Sequence, residues 1–166
     1  MLTVTAQPTT PAAASGRAPD PAPGPRPTPG PRLVRWVSRP TAARVPRIRA
    51  HVGAVLAAWG ISGDLADTLL LTVTELVGNA VRHAAPVTDR LHVTVAIGGG
   101  RLRLEVEDGD PTPPPAAPMA AAEVDPDAES GRGLLIVGLL VAEACGQLSV
   151  RAHEFGKTVR VCVPVA

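Results

Sequence analysis

Prolines divide this chain before any other feature does. Fifteen of its 19 prolines fall in two stretches, residues 8–31 and 111–126. A residue that fixes φ near −65° and offers no N–H cannot continue a helix interior or a central strand. Residues 1–31, rich in Pro, Ala, Gly and Thr without apolar periodicity, are therefore expected to be a disordered arm, either a solvated tail or a polyproline II docking segment. Residues 32–166 are left as one domain of ordinary size. Within it, 109–130 combine six prolines with Asp110, Glu123, Asp125, Asp127 and Glu129. A loop of that length inside a compact domain is usually functional or disordered.

Aromatic residues are limited to Trp36, Trp59 and Phe155, so the core must be built from Leu, Val, Ile and Ala. Residues 33–37 suit an edge strand. Residues 41–59 place Val45, Ile48, Val52, Val55 and Leu56 at helical spacing, with Gly60 where a helix stops and Pro46 in the first turns. A second helix is expected over 63–83, ended by Ala85-Pro86. Strands follow at 90–97 and 102–106 around Gly98-Gly99-Gly100, then a helix at 133–144 and strands at 148–152 and 158–163. The order β-α-α-β-β-loop-α-β-β does not alternate. It therefore predicts an α+β fold, a two-layer sandwich with helices on one face of a mainly antiparallel sheet.

Charge excludes some functions and leaves others open. Residues 1–52 carry eight arginines and one aspartate, while the rest carries eight basic and fourteen acidic residues. A basic front half attracts nucleic acid or an acidic protein. No aromatic platform or zinc-ligand spacing accompanies the arginines, so no direct nucleic-acid contact is expected. Cys145 and Cys162 form no CxxC pair, which fits a reducing compartment. The start lacks a signal-peptide pattern, and the longest apolar run, 134–142, is too short for a membrane span. A cytoplasmic location away from membranes is expected.

Three segments carry chemistry. On the second helix, Leu65, Leu69, Val73, Leu76, Val77 and Ala80 form an apolar arc beside a stripe of Thr68, Thr72, Glu75, Asn79 and Arg82, with His83 at its edge. Glu75 and Asn79 are four apart and therefore stacked, and their oxygens suit a hard cation such as Mg²⁺. At the end of a strand, Asp108 precedes Gly109, placed to accept a hydrogen bond from a ligand amine. In Ser130-Gly131-Arg132-Gly133-Leu134-Leu135 a glycine-rich loop opens a helix, where bare N–H groups bind phosphate. The spacing is not GxGxxG, and no strand directly precedes it. Gly156-Lys157-Thr158 echoes the end of a P-loop, but position 151 is Arg and a strand follows. His51, His92 and His153 are isolated.

Taken together and in this order, Glu75-Leu76-Val77-Gly78-Asn79-Ala80-Val81-Arg82-His83, Val106-Glu107-Asp108, Gly131-Arg132-Gly133-Leu134 and Gly156-Lys157-Thr158 resemble the GHKL, or histidine-kinase-like, ATPase superfamily. The closest look is to small actinobacterial ATP-binding regulators related to anti-sigma factor serine kinases. The resemblance implies the Bergerat-type fold with an ATP lid at 109–130, and ATP and Mg²⁺ as cofactors. It implies that Glu75 is the catalytic base or water positioner, that Asn79 ligates Mg²⁺, and that Asp108 binds adenine N6. Gly131, Arg132, Gly133 and Leu134 would lie at the phosphates, with His83 at the rim and Thr158 at the adenine end. The family pattern Asp-x-Gly-x-Gly is replaced by Asp108-Gly109-Asp110-Pro111-Thr112, which weakens the expected adenine pocket. The implied activity is a serine/threonine protein kinase acting on an anti-anti-sigma-type partner and sequestering a sigma factor. An ATP-dependent binding switch without phosphate transfer is the alternative, and a decayed site with protein contacts only is a third. Homodimerisation stays open, and a sensor histidine kinase is not expected, because residues 1–31 do not read as a phosphoacceptor helix pair.

Overall fold

Alternation along the strands sorts their side chains into two faces. The computed structural model describes residues 30–112 and 132–165, with the backbone alone for Arg132. Its elements are β1 (Arg32–Ser38), α1 (Arg44–Ala58), α2 (Gly63–Asn79), a π-helical turn (Ala80–Ala84), β2 (Leu91–Gly98), β3 (Arg101–Asp108), α3 (Arg132–Glu143), β4 (Gln147–His153) and β5 (Gly156–Pro164). The expected arm lies outside the described residues but for its last two, and so do residues 113–130 of the expected lid.

The five strands form one sheet in the order β1-β2-β3-β5-β4, every pair antiparallel. Gly99 and Gly100 turn the β2–β3 hairpin with φ of +58° and +71°, a pair of left-handed residues that matches the strand twist and that side chains resist. On the inner face Leu91, Val93, Val95, Leu102, Leu104, Val106, Val159, Val161 and Val163 are buried. The outer face is bare of helices among the described residues. Arg35 and His92 around Glu107, and Arg103 and Arg160 around Glu105, lie across it, with Leu33 and Val37 exposed along its β1 edge. An uncovered antiparallel sheet tolerates water on that side.

Helical periodicity covers the inner face. Ile48, Val52 and Leu56 of α1, Leu69, Val73, Leu76 and Val77 of α2, and Leu134, Val137 and Val141 of α3 join the strands in one apolar cluster. Such burial is worth about 1.5–3 kcal/mol per large aliphatic side chain. Pro46 is tolerated near the start of α1 because first-turn N–H groups have no helical partner. The helix ends as expected at Gly60, whose N–H donates to Ala57 O (3.0 Å) while Ile61 N–H donates to Leu56 O (2.9 Å), the pairing of a Schellman motif. Arg49 ties α1 to α2 by donating to Leu70 O at 2.6 Å and Thr74 Oγ1 at 3.0 Å. Trp36 stacks on His51, ring centroids 6.1 Å apart, and joins β1 to α1.

The expected second helix differs in its last turn. The α-helix stops at Asn79, and the chain widens through Ala80–Ala84, with Ala85 N–H donating to Ala80 O at 3.1 Å. Ala85, the residue before Pro86, keeps right-handed helical angles (φ −53°, ψ −34°), so the chain widens without leaving the helical region; a π turn is how a helix absorbs an extra residue, often beside a site.

Candidate functional site

The last turns of α2, the π turn, the start of α3, the end of β3 and the start of β5 meet at one end of the sheet. Gly109 packs against Thr88, just beyond the π turn, while the first turns of α2 share a groove with Pro164 at the opposite end of β5. Glu75 and Asn79 are half-buried there. Thr68 and Thr72, expected on the same polar stripe, are instead inside. Thr72 is fully buried and its hydroxyl donates to Thr68 O at 2.7 Å. A hydroxyl can be satisfied within its own helix, and a carboxylate cannot. Of the stripe, Glu75 and Asn79 are half-buried and Arg82 is exposed, so these remain available to a ligand.

Glu75 touches α3 through a glycine. A Cβ on residue 133 would stand 2.8 Å from Glu75 Cδ and closer still to Oε2. The carboxylate therefore lies beside the first turn of α3, where unpaired N–H groups and the positive end of the helix dipole favour anions. Asn79 Oδ1 accepts from Arg82 Nη2 at 2.5 Å, so the one amide oxygen on this stripe is already held by a cation. His83 is exposed in the π turn. Leu134 is buried in the core, which leaves only its backbone to a ligand. Gly131 and the Arg132 side chain lie outside the described residues.

At the strand ends the structure brings together a trio that the sequence did not foretell. Asp108 and Lys157 are both buried and sit opposite each other in the β3–β5 register. Lys157 Nζ donates to Asp108 Oδ1 at 3.1 Å, to Asp110 O at 3.1 Å and to Asp110 Oδ2 at 3.2 Å. Buried charges need such pairing. Asp110 N–H donates back to Asp108 Oδ1, and Thr112 N–H to Asp110 Oδ1, both at 3.0 Å. The Thr112 N–H, helped by the Thr112 side chain and the Lys157 ammonium, holds Asp110 below the usual carboxylate range against the opposing pull of burial. Thr158, expected at this end of the site, pairs with Glu107 and belongs to the other face of the sheet. Lys157 is thus the residue that meets Asp108. The available signal was period two: counting back from buried Val163, Val161 and Val159 puts 157 on the inner face.

A sequence model of the histidine kinase-like ATPase domain matches residues 38–163. The chain belongs to this family. Solved structures share the histidine kinase-like fold. The RsbU and RsbW domains of Rv1364c from Mycobacterium tuberculosis superpose with a TM-score of 0.56 at 20% identity, over 84% of this chain and 34% of that one. Full-length ShkA, solved with AMPPNP, gives a TM-score of 0.50 at 31% identity over 61% of this chain and 22% of its own. The catalytic domain of histidine kinase ThkA gives 0.50 at 13% identity, over 80% and 95%. The chain thus spans about a third of the mycobacterial protein and about a fifth of ShkA. Comparison with curated protein sequences finds no match.

For a histidine kinase-like ATPase, which implies ATP binding, the donor set here is chemically apt. Asn79 offers a hard amide oxygen, the kind a magnesium ion takes alongside phosphate oxygens and water. Asp108 offers a buried carboxylate acceptor at the end of β3. Among the described residues no three His, Cys, Asp or Glu side chains gather as a metal cage, and magnesium held through substrate phosphates requires none. No helix among the described residues is long and apolar enough to cross a membrane.

Proposed function

We propose that this histidine kinase-like ATPase domain binds Mg-ATP and acts as an anti-sigma-type serine/threonine kinase on an anti-anti-sigma-type regulator, with a sigma factor as the partner it sequesters. The observation that carries the reading is the Glu75 carboxylate set against Gly133 at the opening of α3. A carboxylate beside an anion-favouring helix start is where an acid–base group would stand next to a phosphate chain. In this reading Asn79 provides a magnesium oxygen once Arg82 releases it. The backbone of Gly131, Arg132, Gly133 and Leu134 lies along the phosphates, with His83 at the rim. Asp108 accepts from the adenine amine. Bound magnesium would neutralise charge on the triphosphate, and Glu75 would take the proton of the attacking hydroxyl. ShkA, 31% identical over the matched part, was solved with an ATP analogue, which supports the nucleotide half of the proposal.

One observation favours the alternative of an ATP-dependent switch without transfer. Asp110 stands where the family pattern has glycine, and Lys157 ties it to Asp108, which stiffens the entry to residues 113–131. The deciding experiment incubates the full chain with γ-labelled ATP, magnesium and candidate partner proteins. Label on a Ser or Thr of a partner supports the kinase. ATP binding that changes partner affinity without label supports the switch, and absence of ATP binding overturns both.

A further inference from the structure

We propose that Lys157 is a positioning residue that makes the base pocket selective for a 6-aminopurine over a 6-oxopurine; the inference rests on the reading of Asp108 as the base acceptor. An ammonium has three N–H donors, and those of Lys157 are matched by Asp108 Oδ1, Asp110 O and Asp110 Oδ2 at 3.1–3.2 Å. With its side chain only 10% exposed, Lys157 has no proton left to offer a ligand.

Its effect falls on Asp108. Both hydrogen bonds to that carboxylate, from Lys157 Nζ and from Asp110 N–H, end on Oδ1. Among the described residues Oδ2 receives none. One oxygen is pinned, so the plane of the carboxylate is set, and the other is left purely as an acceptor. An exocyclic amine placed there finds its partner. A ring carbonyl placed there meets a second electron-rich oxygen, and the neighbouring cation cannot turn to greet it. Leaving a buried acceptor unmatched costs more than a good hydrogen bond gains, so the discrimination falls mainly on the wrong base.

Lys157 also does the work that glycines would do elsewhere. Asp108 and Asp110 each accept from the N–H two residues on, consecutive Asx turns that shape the chain after β3 without requiring glycine. The ammonium sits between the two carboxylates, which would otherwise repel. Removing it would let Asp108 rotate.

Calorimetry of the full chain with magnesium and three probes tests this: ATP, inosine triphosphate with its 6-oxo group, and purine riboside triphosphate with no group at that position. Wild type is expected to prefer ATP over both others by ~10-fold or more, the value of one hydrogen bond to a charged acceptor. Lys157→Met should drop ATP to the level of purine riboside triphosphate, whose own affinity stays within ~2-fold of wild type, and Lys157→Arg should recover part of the preference. A purely structural role would weaken all three probes in parallel and overturn the proposal. Undiminished ATP preference in Lys157→Met would overturn it while leaving the ATP site intact; wild type binding none of the three would overturn both. If Lys157→Met fails to melt cooperatively, Lys157→Gln, which keeps a donor without the charge, is read by the same ratios.

Discussion

Glu75 Cδ stands 2.8 Å from the point where a Cβ on Gly133 would be, so α2 and α3 meet through a carboxylate and a bare α-carbon. Two effects compete when that glycine becomes alanine. Alanine is the better helix former by up to about 1 kcal/mol, while a methyl forced into occupied space costs about 1–3 kcal/mol. The clash should be relieved cheaply, because the atoms it meets are the far end of the flexible Glu75 side chain, which can swing aside. Gly133→Ala should therefore leave stability in urea unfolding within about 1 kcal/mol of wild type while displacing the carboxylate, so phosphate transfer should fall with the fold intact. A Gly133→Ala protein that loses about 3 kcal/mol or more would show that Glu75 is held in place.

Asn79→Ala removes the amide oxygen now held by Arg82 without harming the helix, since alanine is favoured there. ATP affinity in magnesium should fall at least ~10-fold by calorimetry. The loss should shrink when magnesium is omitted. Equal affinity in both proteins would remove Asn79 from the site.

Glu75→Gln keeps shape and hydrogen bonding while deleting the charge. If Glu75 takes the proton of the attacking group, phosphate transfer to a partner should slow by ~10²–10⁴-fold, with ATP binding retained through Asn79, Asp108 and the start of α3. Transfer at the wild-type rate would mean that Glu75 has another role. A switch without transfer predicts no labelled partner from either protein.

Asp110 sets a pH dependence of stability. Its carboxyl is held lower in the folded chain than its ordinary value, so the unfolded state binds more protons through the acid range and stability rises with pH there. The contribution is complete above the ordinary carboxylate range and disappears as pH falls through the lowered value. Thermal melts should show wild type above Asp110→Asn near neutral pH, the gap closing as pH falls below the ordinary carboxylate range. A gap independent of pH would contradict it.

Residues 1–29 should be dispensable for folding. Their composition offers too little apolar surface to offset an ordering cost of about 1–2 kcal/mol per residue. A chain of residues 30–166 should melt cooperatively within a few degrees of the full chain, and a large drop would show that the arm packs on the domain.

Much of the fold was legible because its signals are local. The five strands and three helices appear where the sequence places them, to within about three residues except at the end of α2. The wide turn at Ala80–Ala84 was not legible: its residues share the helical spacing of α2, and only the hydrogen bond from Ala85 to Ala80 distinguishes it. Of the site, Glu75, Asn79 and Asp108 could be picked out by residue type and position. Thr68 and Thr72 could not be separated from Glu75 and Asn79, since helical spacing puts all four on one stripe and only the assembled fold shows that the two threonines are buried.

The sequence by itself determined the element order, the two faces of each strand, the apolar arc of each helix and the α+β class, since periods of 2 and 3.6 are properties of the backbone within a few residues. The tertiary structure decided what those faces meet. Placing β5 between β3 and β4 brings Lys157 to Asp108 across a separation of 49 residues and leaves Thr158 on the far face. A shift of one residue in that pairing would have exchanged them. Register is chosen by the summed packing of Val159, Val161 and Val163 against the helices, and that sum exists only once the layers are assembled.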